Sequence, residues 1–377
     1  MKIAVIANSH YPIKQPFAGG LEAHTYMLVK QLQQAGHHVT LYAAEGSDPT
    51  LPYVPFFKPT AEELFRPSQA VKEYREQTYT SLMQHLQHSD FDVVHNNSLH
   101  YVPLQWVDRL PMPMVTVLHT PPFLPLVRGF QEAIRAKNHC AIAISQAVTR
   151  SWQQIIPELK PALIYNGINT RHWLPGPQRH DHAIWFGRIT PEKGTHLAIR
   201  AASLAGIRLR VCGPIHDATY FAKEVEPRLS KASVYRGNLK TADLAKEVAR
   251  ASVFVCTPCW EEPFGLVAAE ALSSGTPVAG LNRGALAEIL TPATGVLVKG
   301  GIEALAIAIR QAQKLSSQAC RQRAVAMFSV VQWCRDTPAC IRIWCSTAKL
   351  SCPYRSYRDA TSHRLLRECR WLRALVS

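Results

Sequence analysis

The chain has no apolar run approaching the roughly 18 residues that a membrane-spanning helix requires, which argues against a transmembrane reading. Its opening, MKIAVIANSHYP, has one lysine and a short apolar stretch, but His10 and Pro12 interrupt it too early for a secretory leader. It is therefore expected to be a first buried strand. Paired metal-ligand spacing is missing as well. Cys256 and Cys259 form a lone C-x2-C with no second pair, which reads as ordinary loop residues rather than zinc or redox chemistry. Acid is scarce relative to base: 42 Lys+Arg against 27 Asp+Glu leave a formal charge of +15, compatible with nucleic acid, an anionic membrane surface or an anionic substrate.

With 377 residues, 47% of them hydrophobic, the chain can bury roughly two cores. Its character changes near Val330. Residues 331–377 hold nine basic against three acidic residues, five of the ten cysteines (Cys334, Cys340, Cys345, Cys352, Cys369) and no sustained periodicity, apart from HRLLRECRWLRALV, which could form a basic helix. Two readings stand: a basic, cysteine-rich metal or nucleic-acid module, and a shifted reading frame. The frameshift is preferred, because composition and periodicity change at one point. The other five cysteines are scattered and suit a reducing compartment, so a cytoplasmic location is expected.

Residues 1–330 alternate between strand and helix patterns. KIAVIA, HHVTLYAA, DVVHNN, MVTVLH, CAIAIS and ALIYNG read as buried strands, with helices such as GLEAHTYMLVKQLQQAG and SQAVTRSWQQII between several of them. A second series (AIWFGRI, RLRVCG, SVYRGN, SVFVCTP, PVAGLN, GVLVKG) follows a Pro/Gly-rich linker at residues 172–182. The expected fold is α/β: two Rossmann-like, doubly wound domains, residues 1–175 and 176–330, facing a cleft at the carboxyl ends of their strands.

Four loops carry candidate chemistry. Gly19 and Gly20 open a helix whose free N–H groups can meet an anion, although a glycine pair alone is weak evidence against an ordinary turn and they match neither G-x-G-x-x-G nor a Walker loop. In WFGRITPEKGTHLAIRAA, Arg188 and Lys193 could grip a diphosphate or form a solvated charged loop; Thr190 and Pro191 read as helix start signals. In WEEPFGLVAAEALSSGTPVAG, Gly265 to Ser274 suits a helix, with the Phe264, Gly265 and Leu266 backbone N–H groups at its start. Glu262 and Glu270 are then about 12 Å apart along the axis and offset by only about 80°, so they could touch two ends of one elongated ligand. Their carboxylates suit sugar hydroxyls. Alternatively, Glu262 supports the helix start electrostatically and Glu270 lies on the surface, although an otherwise apolar helix fits that second half poorly. In TVLHTPP, His119 follows a strand and either faces the cleft or packs structurally. The D-x-D at Asp90 to Asp92 abuts DVVHNN and reads as a turn and strand start.

Taken in order, AGGLEAH, LHTP, ISQAV, YNGIN, FGRITPEKG, CGP and EEPFGLVAAEALSSGTPVAG resemble the family 4 retaining glycosyltransferases of the GT-B fold over about residues 1–330, with Glu262 and Glu270 matching the E-x7-E motif. The resemblance implies transfer of a hexose or related sugar, with retention, from a nucleoside-diphosphate sugar (UDP- or GDP-linked) to an acceptor glycan, lipid or small molecule. The first domain would take the acceptor and the second the donor. Arg188 and Lys193 would hold the diphosphate, approached by Gly19 and Gly20. Glu270 would bind the ribose, and Glu262 with Phe264, Gly265 and Leu266 the transferred sugar. His119 would lie near the reacting carbon, and Gly213 with Asn238 and Leu239 would line the base pocket. It also implies no metal or other cofactor. No nucleic acid is expected as partner; the basic excess is compatible with peripheral contact at an anionic membrane. Members of the family end with a helix that returns from the second domain to the first; here MFSVVQW begins such a region and the amphipathic pattern then fails. The rival readings are a sugar-nucleotide epimerase or phosphorylase of similar fold, and a nucleic-acid binder acting through the tail.

Overall fold

The computed structural model describes residues 1–60 and 68–333. The basic, cysteine-rich segment from residue 334 onward, with both readings of it, lies outside the described residues.

The first domain runs β1 (Lys2–Ile6), α1 (Gly20–Gln34), β2 (His38–Ala44), β3 (Tyr53–Phe57), α2 (Gln69–Gln87), β4 (Val93–Asn96), α3 (Val102–Gln105), β5 (Met114–Leu118), α4 (Leu124–Ala133), β6 (His139–Ala143), α5 (Gln146–Ile155) and β7 (Ala162–Leu163). Its seven-stranded sheet has the order β3-β2-β1-β4-β5-β6-β7. The second domain runs β8 (His182–Phe186), α6 (Thr195–Leu204), β9 (Arg208–Cys212), α7 (Ala218–Tyr220), β10 (Ser233–Tyr235), α8 (Thr241–Arg250), β11 (Val253–Cys256), α9 (Leu266–Ser273), β12 (Val278–Leu281), α10 (Leu286–Ile289), β13 (Gly295–Val298), α11 (Ile302–Ala312) and α12 (Ser317–Phe328). Its six strands lie in the order β10-β9-β8-β11-β12-β13. Neighbouring strands pair in parallel throughout both sheets. That arrangement explains why central strands such as Met114–Leu118 and Val253–Cys256 are buried along their whole length: helices cover both faces.

Both sheets reverse their strand order once, at β1/β4 and at β8/β11. In open α/β sheets the crevice beyond the carboxyl ends of such strands is where ligands bind. The loops after β1, β8 and β11 are the ones that carry Gly19–Gly20, Arg188–Lys193 and Glu262.

Three expectations change. Residues 53–57, absent from the strands expected from the sequence, form edge strand β3; the outer position of YVPFF tolerates Pro55, which cannot donate to a ladder. ALIYNG pairs only at Ala162–Leu163, because Tyr165 and Ile168 turn to the second domain: the Tyr165 ring packs on Phe264 and Phe328, and Ile168 N donates to Phe328 O at 2.7 Å. Thr190 and Pro191 do not open the next helix. Pro191–Lys193 is a single 3₁₀ turn, Gly194 adopts a left-handed conformation (φ 65°), and α6 begins at Thr195.

After α12 the chain crosses back to the first domain. Ser329 bridges to Ile168, Val330 N donates to Ile168 O at 3.0 Å, and Trp333 packs edge-on against His24 of α1 with centroids 5.2 Å apart. Buried apolar residues of the first domain run through Trp173, Phe264 and Phe328 into one face of the second sheet, while a separate cluster covers its other face.

Candidate functional site

The loop after β1 meets the second domain. A Cβ added to Gly20, the first residue of α1, would lie 2.9 Å from Leu266 Cδ1 at the start of α9, and one on Gly19 would lie 3.8 Å from Arg188 Nε. The two glycines thus permit an interdomain approach that a larger residue would obstruct. Other loops at the same ends of the sheets also meet: the Tyr11 and His216 rings lie 5.8 Å apart, and Thr241 Oγ1 lies 3.4 Å from Gln15 Oε1.

Arg188 follows β8, is half-buried, and makes no hydrogen bond or ion pair among the described residues. Its guanidinium acts on both rings beside it. Burial raises the Tyr11 hydroxyl pKa, with Arg188 opposing that rise; burial and then Arg188 lower that of His216. A cation held in a half-buried place without a protein anion is suited to a ligand anion.

Lys193 is held differently. Its ammonium lies 2.6 Å from Glu262 Oε2 and 5.2 Å from the centroid of Trp260, whose Nε1 donates to the same carboxylate oxygen at 3.1 Å. The turn that carries Lys193 is braced on the β11 loop. Thr257 Oγ1 lies 3.0 and 2.9 Å from the carbonyls of Lys193 and Gly194, and Cys259 N donates to Glu192 O at 2.8 Å. Two charged residues far apart in sequence are thereby fixed as a pair. Cys256 and Cys259 are both free thiols.

Gly265 (φ 89°) caps α9, leaving the N–H groups of Leu266 and Val267 at the end of a helix that supplies no intrahelical partner for them. Phe264 does not face the loops; its ring is buried between Tyr165 and Phe328. On the next turns of α9 stands Glu270, whose carboxyl group makes no hydrogen bond or ion pair among the described residues. Burial pushes its carboxyl up to about 8. It is enclosed by protein but not sealed off from solvent, so a surface role for it does not hold.

His119 follows β5 and is 7% exposed. Its Nε2 lies 2.8 Å from Asn97 Oδ1, and its ring meets His24 edge-on at 4.8 Å. Burial, then the neighbouring His24 and His95, hold it well below the ordinary imidazole range, so it is neutral at physiological pH. Sequence reasoning singled out His119 and missed this setting: His24, His95, Asn97 and the buried pair in which Asn8 Nδ2 donates to Glu22 Oε1 at 2.9 Å. Histidine and asparagine within apolar strand patterns, as in DVVHNN, were the available signal.

Gly213, after β9, packs directly on the Gly187 carbonyl and donates its N–H to Gly237 O at 2.9 Å, placing it beside Arg188. Asn238 is exposed and Leu239 is partly buried on the core beyond Gly237. Asp90 and Asp92 lie at the opposite, amino end of β4, where both bond to Lys2, so this D-x-D is a turn and strand start.

Comparison with known proteins bears on the two domains and their fold. The model for Glycosyltransferase Family 4 matches residues 18–172, and that for Glycosyl transferases group 1 matches residues 177–326. An alpha-maltose-1-phosphate synthase of Mycobacterium tuberculosis is 31% identical over 195 residues, covering 45% of this chain and 50% of that protein, so the chain spans about half of that relative's length. A phosphatidyl-myo-inositol mannosyltransferase of Mycobacterium leprae is 25% identical over 347 residues, 86% of this chain and 90% of its own. Among solved structures, HepE of Anabaena in complex with UDP-glucose superposes with a TM-score of 0.72 at 20% identity, covering 91% of this chain and 100% of that one. AviGT4, a glycosyltransferase involved in avilamycin A biosynthesis, gives 0.68 at 23%, covering 91% and 98%. These likenesses establish the GT-B fold.

Proposed function

The chain belongs to the family 4-like glycosyltransferases of the GT-B fold, and from that premise we propose that it transfers a hexose or related sugar from a nucleoside-diphosphate sugar to an acceptor held by the first domain, with retention of anomeric configuration. The observation that carries this reading is the junction between the domains: Arg188, without a protein anion, faces the glycine-opened start of α1, with Lys193 and the free N–H groups of α9 in the adjoining loops.

The donor diphosphate takes the place between Arg188, Lys193 and the α9 amino end. Arg188 engages it as a fork, and Lys193 exchanges part of its contact with Glu262 for phosphate oxygen. Glu262, freed on that side, accepts hydrogen bonds from the transferred sugar, and Glu270 accepts them from the ribose. The departing diphosphate carries the charge that develops as the anomeric bond breaks, and prearranged cations and N–H groups stabilise it there without a metal or other cofactor. Front-face attack of the acceptor hydroxyl, assisted by that phosphate, gives retention. His119, neutral and with its Nε2 proton donated to Asn97 Oδ1, has Nδ1 left as a hydrogen-bond acceptor near the reacting carbon rather than a charge. The complex of HepE with UDP-glucose supports a UDP-linked donor by analogy of fold.

The test is thermal unfolding with UDP, GDP, ADP and CMP, because a ligand that binds only the folded state raises its melting temperature, by an amount equivalent to about 2.7 kcal/mol at 100 times Kd. One nucleoside diphosphate should raise it, and Lys193→Ala should weaken that ligand by about tenfold or more. No response to any nucleotide, or an unchanged affinity in Lys193→Ala, overturns the assignment.

A further inference from the structure

The amino end of α5, in the first domain, is capped from the second. A helix leaves its first N–H groups without intrahelical partners. Here Gln146 N and Ala147 N donate to the two carboxylate oxygens of Glu288 at 2.8 and 2.7 Å, and Val148 N to Ser145 Oγ at 3.0 Å. Glu288 also accepts from Tyr165 Oη at 3.2 Å and lies 3.7 Å from Arg150, and its side chain is only 10% exposed. Charge-assisted hydrogen bonds to a helix amino end, largely shielded from water, are among the stronger polar contacts a protein makes. A second tether lies beside them, where Ser145 Oγ donates to Pro263 O at 2.6 Å.

The helical turn that carries Glu288 is itself fixed to the donor loop. Ala285 N donates to Glu262 O at 2.9 Å, Gly284 (φ 57°) packs so closely on the Glu262 backbone that no Cβ fits, and Gly284 N donates to Glu261 Oε2 at 2.7 Å. At the other end of the turn, Arg323 of α12 binds the carbonyls of Glu288 and Ile289 at 2.7 and 3.2 Å. The segment from Glu261 to Ile289 that touches α5 therefore moves with Glu262. We propose that Glu288 is a positioning residue: its grip on the α5 amino end holds the two domains closed and thereby sets Glu262 and the sugar it binds against the first domain, and release of this grip accompanies opening. Glu288 touches no donor atom; it acts through Glu262.

The proposal rests on the donor assignment only for its effect on turnover, so two of its tests need no substrate. In Glu288→Ala, amide hydrogen exchange across residues 145–150 should speed up by about tenfold or more while the β11 and β12 amides keep their protection. Small-angle scattering of the full chain should show a larger radius of gyration. With the glucose ester of the nucleoside diphosphate that raises the melting temperature of the parent protein, kcat for its hydrolysis, in which water takes the sugar and the nucleoside diphosphate leaves, should fall by about tenfold while the Kd for the nucleoside diphosphate itself stays within about twofold. Glu288→Asp, which keeps the charge, should recover part of kcat, and Ser145→Ala, which cuts the second tether and leaves Glu288 intact, should give the same direction of change more weakly. If Glu288→Ala does not fold, Glu288→Gln is read in its place. Unchanged exchange at 145–150 and unchanged scattering overturn the proposal, as does a loss of nucleotide affinity equal to the loss of kcat. A protein that binds no nucleotide refutes the donor assignment, and exchange and scattering then decide on the latch alone.

Discussion

Glu262 and Glu270 show how differently one helix can treat two carboxylates. Glu262 lies before the amino end of α9 and is bonded by Lys193 and Trp260. Glu270, two turns on, has no such partner, and burial raises its pKa to about 8. At pH 7 it therefore carries a proton in the ligand-free protein. If both of its oxygens accept hydrogen bonds from ribose hydroxyls it binds as the carboxylate and gives that proton up, so nucleotide binding should release close to one proton at pH 7 and tighten as pH rises toward 8. Calorimetric titration in two buffers of different ionisation enthalpy measures the release directly. Glu270→Gln should abolish it and weaken the nucleotide. Binding heat independent of buffer would show that Glu270 keeps its proton and does not bind the ribose as a carboxylate. The sequence made both carboxylates legible, because an acid in an apolar helical run stands out. It did not reveal that Lys193 and Glu262 are partners, since that pairing depends on how Thr257 and Cys259 brace a turn 64 residues earlier in the chain.

Among the elements, the ends of the strands are less tolerant than their middles. Gly213 (φ 139°) closes β9 against the carbonyl of Gly187, and any Cβ there collides with backbone that β8 holds in place. Gly213→Ala should therefore cost about 3 kcal/mol of stability and disturb the Arg188 loop. Urea unfolding at fixed pH measures the first effect and nucleotide affinity the second; a loss below about 1 kcal/mol would mean that the loop relaxes freely. The same contrast governs what could be read in advance. Central strands were legible because parallel, doubly covered strands are unbroken apolar runs, as in MVTVL and VFVC. The edges of the first sheet were less so: YVPFF carries a proline and was missed, and ALIYNG, though read as a strand, leaves the sheet after two residues because Tyr165 and Ile168 pack against the other domain; SVYRGN and GVLVKG, at the edges of the second sheet, were read. The start of α6 was misplaced for a related reason. Thr190 and Pro191 are genuine turn-opening residues, but left-handed Gly194 ends that turn, and the helix begins again at Thr195.

Over the whole molecule, two sets of buried groups with opposite signs shape the dependence of stability on pH. Burial lowers His24 and His100 to about 3, His10, His95, His139 and His182 to about 4, and His119 well below its ordinary value. Between about pH 4 and 6.5 the unfolded chain binds these protons and the folded protein does not, so folding stability rises with pH over that window and is lost as pH falls through it. Glu270 acts the other way. Its folded pKa exceeds the unfolded value, so the folded protein keeps a proton that the unfolded chain has lost, and its contribution fades as pH rises toward about 8. Several histidines outweigh one carboxylate on the acid side, whereas from pH 6.5 to about 8 they are neutral in both states and the carboxylate sets the slope; above that, Cys212, Cys256 and Cys320, pushed up to about 12 by burial, add to the same alkaline fall. Stability should therefore peak near pH 6.5, fall steeply toward pH 5 with uptake of more than one proton on unfolding, and fall gently toward pH 8. Urea midpoints across pH 5 to 9 give the curve. Glu270→Gln should flatten its alkaline arm up to about pH 8 and leave the acid arm in place; a parent midpoint that does not change between pH 5 and 7 would mean that water reaches the buried imidazoles before the fold gives way.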